Sequence, residues 1–520
     1  MPAAPERPRY GVLPRLSAPA LGVLYLLLCL LPILLAARSQ TVPLDGWEAF
    51  GAGLGLSALA AMLVQLLTSG RFRLVSGRMG IDRIMAFHKI AAMAVLLALV
   101  LHPLAYVLPT VMDDPARGIE RLLAYHLLPA YRSGVVALAA LMLLLLAGVL
   151  RDRMHYETWR AMHLGLALLA LGGGLHHALT TGRLSAMGLL HGFWWGAAAL
   201  VVAVIGVLYG WRWWRLHRQP FVLRGVQPKA DRIWELDIAP APGIPPLDYR
   251  AGQFVWMTEG KRRFPLFDHP FSIADTPTRP ALRLIIKEAG DFTRTVGALA
   301  PGTPIGIDGP FGTFTLSDHP SDSVILIAGG AGIAPIMGLL RDLVARRDPR
   351  PVRLAYAVGR PENLACLDEL AAATAVLDLR VMLVSETVDP NGQAETGLLD
   401  APRLARLLKG LVPETCVAMI CGPGPMVSAV SDGLLGQGLP MRNVVYERFD
   451  YAGALGARKD RRRTAQYLSL LLGQGVLVWA LSRLLVGGRA PASPVLADRA
   501  CGSARHGPCQ GPPARPIPPD

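Results

Sequence analysis

Six apolar stretches fill the first 210 residues, each long enough to cross a hydrocarbon layer of about 30 Å: Leu21 to Ala36, Phe50 to Leu67, Ile84 to Leu108, Val135 to Leu150, Trp159 to Leu179 and Phe193 to Tyr209. A backbone in hydrocarbon must satisfy its own hydrogen bonds, so each stretch is an expected transmembrane helix and this half an α-helical membrane bundle. A seventh apolar stretch, Ala465 to Val486, lies near the other end of the chain. Only 17% of the 520 residues are charged and the mean hydropathy is +0.38, values foreign to a purely soluble protein. The formal charge of +14 gathers in Arg7 to Arg15, Arg71 to Arg83, Arg151 to Arg160 and Arg212 to Arg218. These segments lie at the N-terminus and after even-numbered spans, which puts them on the cytoplasmic side and argues against nucleic acid as a partner. Asp45, Glu48, Asp113 and Asp114 occupy the opposite loops. The expectation is a protein of the lipid bilayer, in the inner membrane of a bacterium-like cell, whose sixth span returns the chain to the cytoplasm. The first span has the basic lead-in of a signal peptide, but five more spans follow, so it reads as a retained helix.

Beyond the sixth span the texture changes. From Phe221 to about Phe314 short strands alternate with Pro and Gly turns, as in a small antiparallel β-barrel. From Ser323 onward, strands such as Val324 to Ala328 and Val352 to Val358 alternate with helical stretches such as Ile336 to Arg346, as in an α/β parallel-sheet domain.

Histidine is costly inside a bilayer, and an intramembrane histidine is a functional candidate by default. His88 and His102 share the third span; their separation of fourteen residues is about 21 Å of helix rise on nearly the same face. The fifth span offers His163, then His176 and His177. If both helices run outward, His88 meets His163 near one surface and His102 meets His176 or His177 near the other, so each pair can hold one haem. Helical phase favours His177. His126, His155 and His191 fall in loops or at span ends and read as solvated. The six cysteines include no CxxC or CxxCH, so neither an iron–sulfur or zinc knuckle nor a covalently attached haem is signalled.

The segments HKIAAMAVLLALVLHP (88–103) and YETWRAMHLGLALLALGGGLHHAL (156–179) resemble the ferric reductase and NADPH oxidase transmembrane family. That family spaces its fifth-helix histidines by thirteen, and the resemblance therefore implies His88, His102, His163 and His176 as ligands of two b-type haems. The soluble half supports the likeness. DHPFSIAD (268–275) is similar to the family's flavin motif, implying FAD contacts at His269, Pro270, Phe271, Ser272 and Ile273, with the Ser272 hydroxyl near flavin N5. IKEAGDFT (286–293) carries Lys287, Gly290, Asp291, Phe292 and Thr293, expected to open a helix toward the flavin pyrophosphate. DGPFGTF (308–314) resembles the turn closing the barrel beside the flavin. GGAGIAP (329–335), with Gly329, Gly330, Gly332 and Pro335, matches a nucleotide loop, and CGPGPM (421–426) a second one that puts Cys421, Gly422 and Pro423 near the nicotinamide. Ser272 and Cys421 are thus the implied catalytic residues, and Phe449 or Tyr451 the implied flavin shield.

The expected organisation is a cytoplasmic segment (1–18), a six-span haem-binding domain (19–215), an FAD barrel (216–318), a ferredoxin reductase-like NAD(P) domain (319–455), a basic linker with an extra span (456–487) and a disordered tail (488–520). That extra span departs from the family pattern. It puts Cys501 and Cys509 outside, where they could pair. The implied activity is electron transfer from NAD(P)H through FAD and two haems to an acceptor across the membrane, foremost a ferric chelate. Dioxygen is the second candidate, and a quinone or periplasmic partner a third. A transporter or channel with a nucleotide-sensing domain is the rival of another class. Arg360, following the second nucleotide-domain strand, either meets a 2′-phosphate or faces solvent, so NADH and NADPH both stay open.

Overall fold

The computed structural model describes residues 18–39, 44–68, 81–181, 184, 188–260, 263–449 and 457–486. Arg7 to Arg15, most of Arg71 to Arg83, Tyr451, Cys501, Cys509, the 1–18 segment but for Ala18, and the tail lie outside them. Among the described residues, seven helices are long and apolar enough to cross a membrane. They are α1 (Ala18–Ser39), α2 (Gly46–Leu67), α3 (Ile81–Asp113), then, after the short α4 (Pro115–Ala124), α5 (Arg132–Val149), α6 (Tyr156–Thr181), α7 (Gly188–Ile205) and, from the end of the chain, a last helix described below. The chain is an integral membrane protein. Asp45 opens α2 by accepting from the backbone N–H groups of Trp47 and Glu48 at 2.8 and 2.7 Å, satisfying two donors that the first turn leaves free. The helix α4 was not expected from the sequence. Its start is set by Asp114, which accepts from Arg117 N at 3.1 Å, with Pro115 in the first turn.

After α7 the helix does not stop. One π-helical turn (Gly206–Trp211) leads into α8 (Arg212–Arg218), and the chain then enters the first sheet at Phe221. That sheet contains β1 (Phe221–Ala230), β2 (Ile233–Pro240), β3 (Phe254–Glu259), β4 (His269–Ser272), β5 (Leu282–Lys287) and β6 (Pro304–Phe311). Its order is β4-β3-β6-β1-β2-β5, with every pairing antiparallel. The second sheet follows as β7 (Ser323–Gly329), α9 (Ile333–Arg346), β8 (Val352–Val358), α10 (Leu367–Thr374), β9 (Leu379–Ser385), β10 (Glu395–Thr396), α11 (Ala401–Leu408), β11 (Cys416–Gly422), α12 (Gly424–Gly436) and β12 (Val444–Arg448). Its order β10-β9-β8-β7-β11-β12 is wholly parallel. The direction of winding reverses at β7, which makes the C-terminal ends of β7 and β11 the expected ligand crevice.

The last helix, α13 (Arg458–Ser482), returns to the membrane bundle. Val478 is buried there with Ile33, Leu54 and Leu59, and Gln474 donates to Ser57 Oγ at 3.0 Å. At its start Asp460 accepts from Tyr446 Oη and Arg448, both on β12, at 2.5 Å.

The two sheets share one core, in which Ala274, Ile285 and Phe314 from the first pack with Leu326, Ile336 and Leu340 from the second. A buried ionic knot crosses the same boundary. Arg341 on α9 donates to Glu235 on β2 at 2.7 Å, to both carboxylate oxygens of Glu369 on α10 at 2.8 and 2.7 Å, and to the Ala274 carbonyl. Breaking a buried pair from one side costs about 3–5 kcal/mol. Arg341→Ala is therefore expected to lower the unfolding midpoint of the soluble module by about 5 °C or more. Scanning calorimetry of the detergent-purified chain checks this, and an unchanged midpoint refutes it.

Candidate functional site

The helices α3 and α6 bring their histidines together in two layers. His88 and His163 face each other with ring centres 6.3 Å apart and planes inclined by 45°, and the buried His88 Nδ1 has no hydrogen-bond partner. Two imidazoles that each hold a metal at about 2 Å have ring centres about 6 Å apart, so this pair fits one iron between them. In the other layer His102 Nδ1 lies 2.7 Å from the Gly51 carbonyl. That contact makes Nδ1 the protonated nitrogen and leaves Nε2 with its lone pair, as in metal-ligating histidines. A Cβ on Gly55 would come within 2.7 Å of the His102 ring, and one on Gly134 within 3.0 Å of the His177 ring. Each outer histidine thus lies in a cradle that only glycine leaves open. His177 lies in electrostatic range of His102, whereas His176, the residue that the family pattern names, is exposed. His155 is exposed as expected, and His126 too. His191 accepts from Trp195 Nε1 at 3.1 Å.

From the inner pair a run of rings leads to the first sheet. Trp159 lies 5.3 Å from His163, Tyr156 6.2 Å from Trp159, and His269 5.3 Å from Tyr156, centre to centre. His269 stacks on Phe292 at 4.2 Å with planes 7° apart. Burial lowers the His269 imidazole below the ordinary histidine range, against the opposing pull of Glu157 and Asp268. The flavin-motif residues follow along β4. Pro270 is exposed and Phe271 half-buried, while Ser272 is buried opposite Phe254 and Ile273 is fully buried.

The expected helix after Gly290 is absent. Gly290 and Asp291 to Thr295 form turns, with a single 3-10 turn at Val296–Ala298. Thr293 Oγ1 accepts from the Ala289 and Gly290 N–H groups, both at 2.8 Å, and donates to the Gly290 carbonyl at 3.0 Å, so the segment closes as a compact turn. Asp291 lies 3.4 Å from His155. Lys287 ends β5 with its Nζ 3.9 Å from where a Gly330 Cβ would be, so its cation stands beside the glycine loop.

That loop leaves β7 at Gly329, makes a 3-10 turn over Gly330–Gly332 and enters α9, where Pro335 is buried in the first turn. A Cβ on Gly332 would overlap the Cys421 carbonyl, and one on Gly329 would meet Pro423 Cδ at 2.9 Å. The glycine loop and the Cys421–Gly422–Pro423 loop are therefore interlocked at the ends of the adjacent strands β7 and β11. Cys421 is fully buried, and Pro423 caps α12. Phe449 is exposed just past β12. Arg360 is 62% exposed and 3.6 Å from Asp231.

Three family models match in the order of these elements: a ferric reductase like transmembrane component over residues 54–174, an FAD-binding domain over 236–313 and an oxidoreductase NAD-binding domain over 326–432. The membrane half thus matches the ferric reductase-like transmembrane component, and the soluble half an FAD-binding and an NAD-binding oxidoreductase domain. Among curated relatives, the reductase component of propane 2-monooxygenase from Mycolicibacterium smegmatis is 31% identical over 246 residues, 44% of this chain and 66% of that protein. The phenol 2-monooxygenase reductase component DmpP from Pseudomonas sp. is 30% identical over 228 residues, 42% and 62% of the two chains. A flavohemoprotein from Rhizobium meliloti is 23% identical over 258 residues, 46% and 61%. The chain spans less than two thirds of the length of these relatives. Sequence reasoning missed Trp159 and Tyr156, whose only signal was their place one and two turns, respectively, before His163.

Filling the interlock should disable the nucleotide loop first. Gly332→Val is expected to weaken NAD(P) binding by about tenfold or more, the scale of an overpacked core position, while FAD stays bound. Titration of the FAD-loaded chain with NADH and NADPH checks it, and unchanged affinity for both would refute it.

Proposed function

We propose that this chain is an NAD(P)H-dependent transmembrane electron-transfer oxidoreductase that uses FAD and two b-type haems and serves an acceptor on the far side of the membrane, foremost a ferric chelate. The observation that carries the reading is the His88–His163 pair at metal-sharing separation, joined through Trp159 and Tyr156 to the His269 of the flavin motif. When bound, the flavin links a two-electron hydride donor to the one-electron chemistry of haem iron.

The residues divide the remaining work. His88 and His163 hold the inner haem. His102 and His177 hold the outer one, a choice supported by helical phase and by the exposure of His176. Trp159 and Tyr156 fill the space between the inner pair and the flavin site with rings, and so exclude water there. Ser272 offers its hydroxyl at the flavin position that gains and loses a proton. Lys287 supplies a cation, and the loop at Gly330 backbone N–H groups, for phosphate oxygens. Cys421, buried beneath that loop, shapes the seat of the nicotinamide. Arg160, Arg212 and Arg215 lie on the barrel side of the bundle, which with the positive-inside rule supports a cytoplasmic soluble module; the proposed location is a bacterium-like inner membrane.

The test is an anaerobic optical spectrum of the detergent-purified, FAD-supplemented chain before and after NAD(P)H, then after addition of a ferric chelate or air. Reduced b-type bands reoxidised by the chelate support the proposal; faster reoxidation by air assigns dioxygen as the acceptor, and absence of haem bands refutes the relay. His102→Ala is expected to lower the haem content from about two to about one per chain and to abolish transfer to the far side, while flavin reduction by NAD(P)H survives. Gly55→Val, which pushes on the same ring, should weaken outer-haem retention about tenfold to a hundredfold, the scale for a disturbed metal-ligand support. Full haem content in both variants refutes the assignment.

A further inference from the structure

Two aspartates of the first sheet lie immediately ahead of its two flavin-motif turns, and each is gripped by an arginine from a membrane helix. Asp268 precedes His269 and is 3% exposed; Arg160 of α6 donates through Nη1 to its carboxylate at 2.5 Å and its carbonyl at 2.9 Å, and through Nη2 to the Pro265 carbonyl at 2.6 Å. Asp308 precedes Gly309 and is 5% exposed; Arg212 lies 3.2 Å from its carboxylate, and Arg215, one turn later on α8, donates to it as well. The strand between them, β3, pairs Trp256 with Pro270 on one side and with Asp308 on the other, and the Arg160 guanidinium lies 5.6 Å over the Trp256 ring. Both grips therefore act on one patch of three adjacent strands that also carries the flavin motif.

We propose that these two Arg–Asp clamps are positioning devices that hold the flavin site at a fixed separation from the His88–His163 pair. This rests on the electron-transfer reading above. Arg160 is three residues before His163 on the same helix, so a rigid helical turn separates the inner histidine from the clamp. The second clamp depends on the π-helical turn Gly206–Trp211. The extra residue in a π turn advances everything after it by about 100° around the axis. It is this advance that aims Arg212 and Arg215 at Asp308 after a helix whose earlier residues face the bundle. Leu216 follows into the same joint and is buried, and Tyr209, inside the π turn, stacks on Phe264 at 5.9 Å. Hydride transfer needs only the soluble module, whereas passage of single electrons to the membrane histidines needs the module docked at the right distance.

The experiment compares the full-length, FAD- and haem-loaded chain with Arg160→Gln, Arg212→Gln and a deletion of Gly210 that returns the π turn to an α-helix. Stopped-flow spectroscopy reads flavin reduction by NAD(P)H and haem reduction separately, and hydrogen exchange reads the backbone of residues 264–272 and 304–311. Flavin reduction is expected to stay within about twofold, haem reduction to slow by about tenfold to a hundredfold, the scale of an ångström of misplacement, and exchange in both segments to rise. Arg160→Lys, which keeps the charge but cannot bridge three acceptors, should fall between wild type and Arg160→Gln. It also stands in should Arg160→Gln fail to fold. Unchanged haem reduction together with unchanged exchange overturns the clamp while leaving the relay intact. If the wild-type chain holds no haem, the function above fails instead, and exchange alone then decides whether the arginines hold the barrel in place.

Discussion

A histidine nitrogen in hydrocarbon has almost nothing to bind, and leaving such a group unpaired costs roughly 2–7 kcal/mol. This protein places four inward-turned histidines on two helices, so the bundle around them must supply partners or room for one. His102 takes the Gly51 carbonyl at 2.7 Å, a backbone group whose own helical bond it must share. That approach is possible because α2 has glycine at the contact: a Cβ on Gly51 would meet the Tyr106 ring at 2.9 Å and one on Gly55 the His102 ring at 2.7 Å. Gly55 thus leaves room for the His102 ring and Gly51 for the Tyr106 ring, which lets α2 and α3 approach closely at these turns.

The same economy runs outward into the soluble half. Helix α7 continues through its π turn and α8 to the start of β1, Arg160 ties α6 to the loop before β4, and Asp460 joins α13 to β12. The barrel then shares its core with the parallel sheet, and Arg341 closes the seam. No long tether separates membrane from nucleotide loop among the described residues. Packed elements run from the His88–His163 pair to Gly332.

What the sequence reveals follows from which requirements are local. Hydrocarbon demands about twenty apolar residues in a row, and all seven spans were readable, α13 included. A glycine turn at a strand end has a local signature, so both glycine loops stand where the sequence put them, at the ends of β7 and β11. For the outer ligand, family spacing and helical phase favour different residues. Fourteen residues bring a helix within about 40° of whole turns and thirteen leave it about 140° away. Helix α6 stays regular through Gly172, Gly173 and Gly174, so the simple count applies and supports His177 in the proposed pair. The three glycines serve packing instead, since Cβ atoms on Gly173 and Gly174 would come within 3.0 Å of Ser133 O and of a Leu59 methyl. The turn after Gly290 misled because Thr293 folds back on the Ala289 and Gly290 backbone, an arrangement that glycine spacing alone does not signal. Arg160 and Asp268, 108 residues apart, carry no local signal at all.

Buried ion pairs at such a boundary call for a reason other than stability. The desolvation of two charges roughly cancels their attraction, and apolar residues of the same size would hold the surfaces together as well or better. What an apolar contact lacks is direction. A leucine against a phenylalanine tolerates a slide of an ångström with little loss, whereas a guanidinium that reaches a carboxylate and two carbonyls at once does so in one orientation. Two such contacts, on α6 and α8, fix the barrel against both translation and rotation, because satisfying one leaves a rotation that the other forbids. Under the proposed topology the same arginines satisfy a second requirement, since their charges then stand on the side where the positive-inside rule needs them. Topology and docking therefore draw on the same side chains, and a change that flips one would disturb the other.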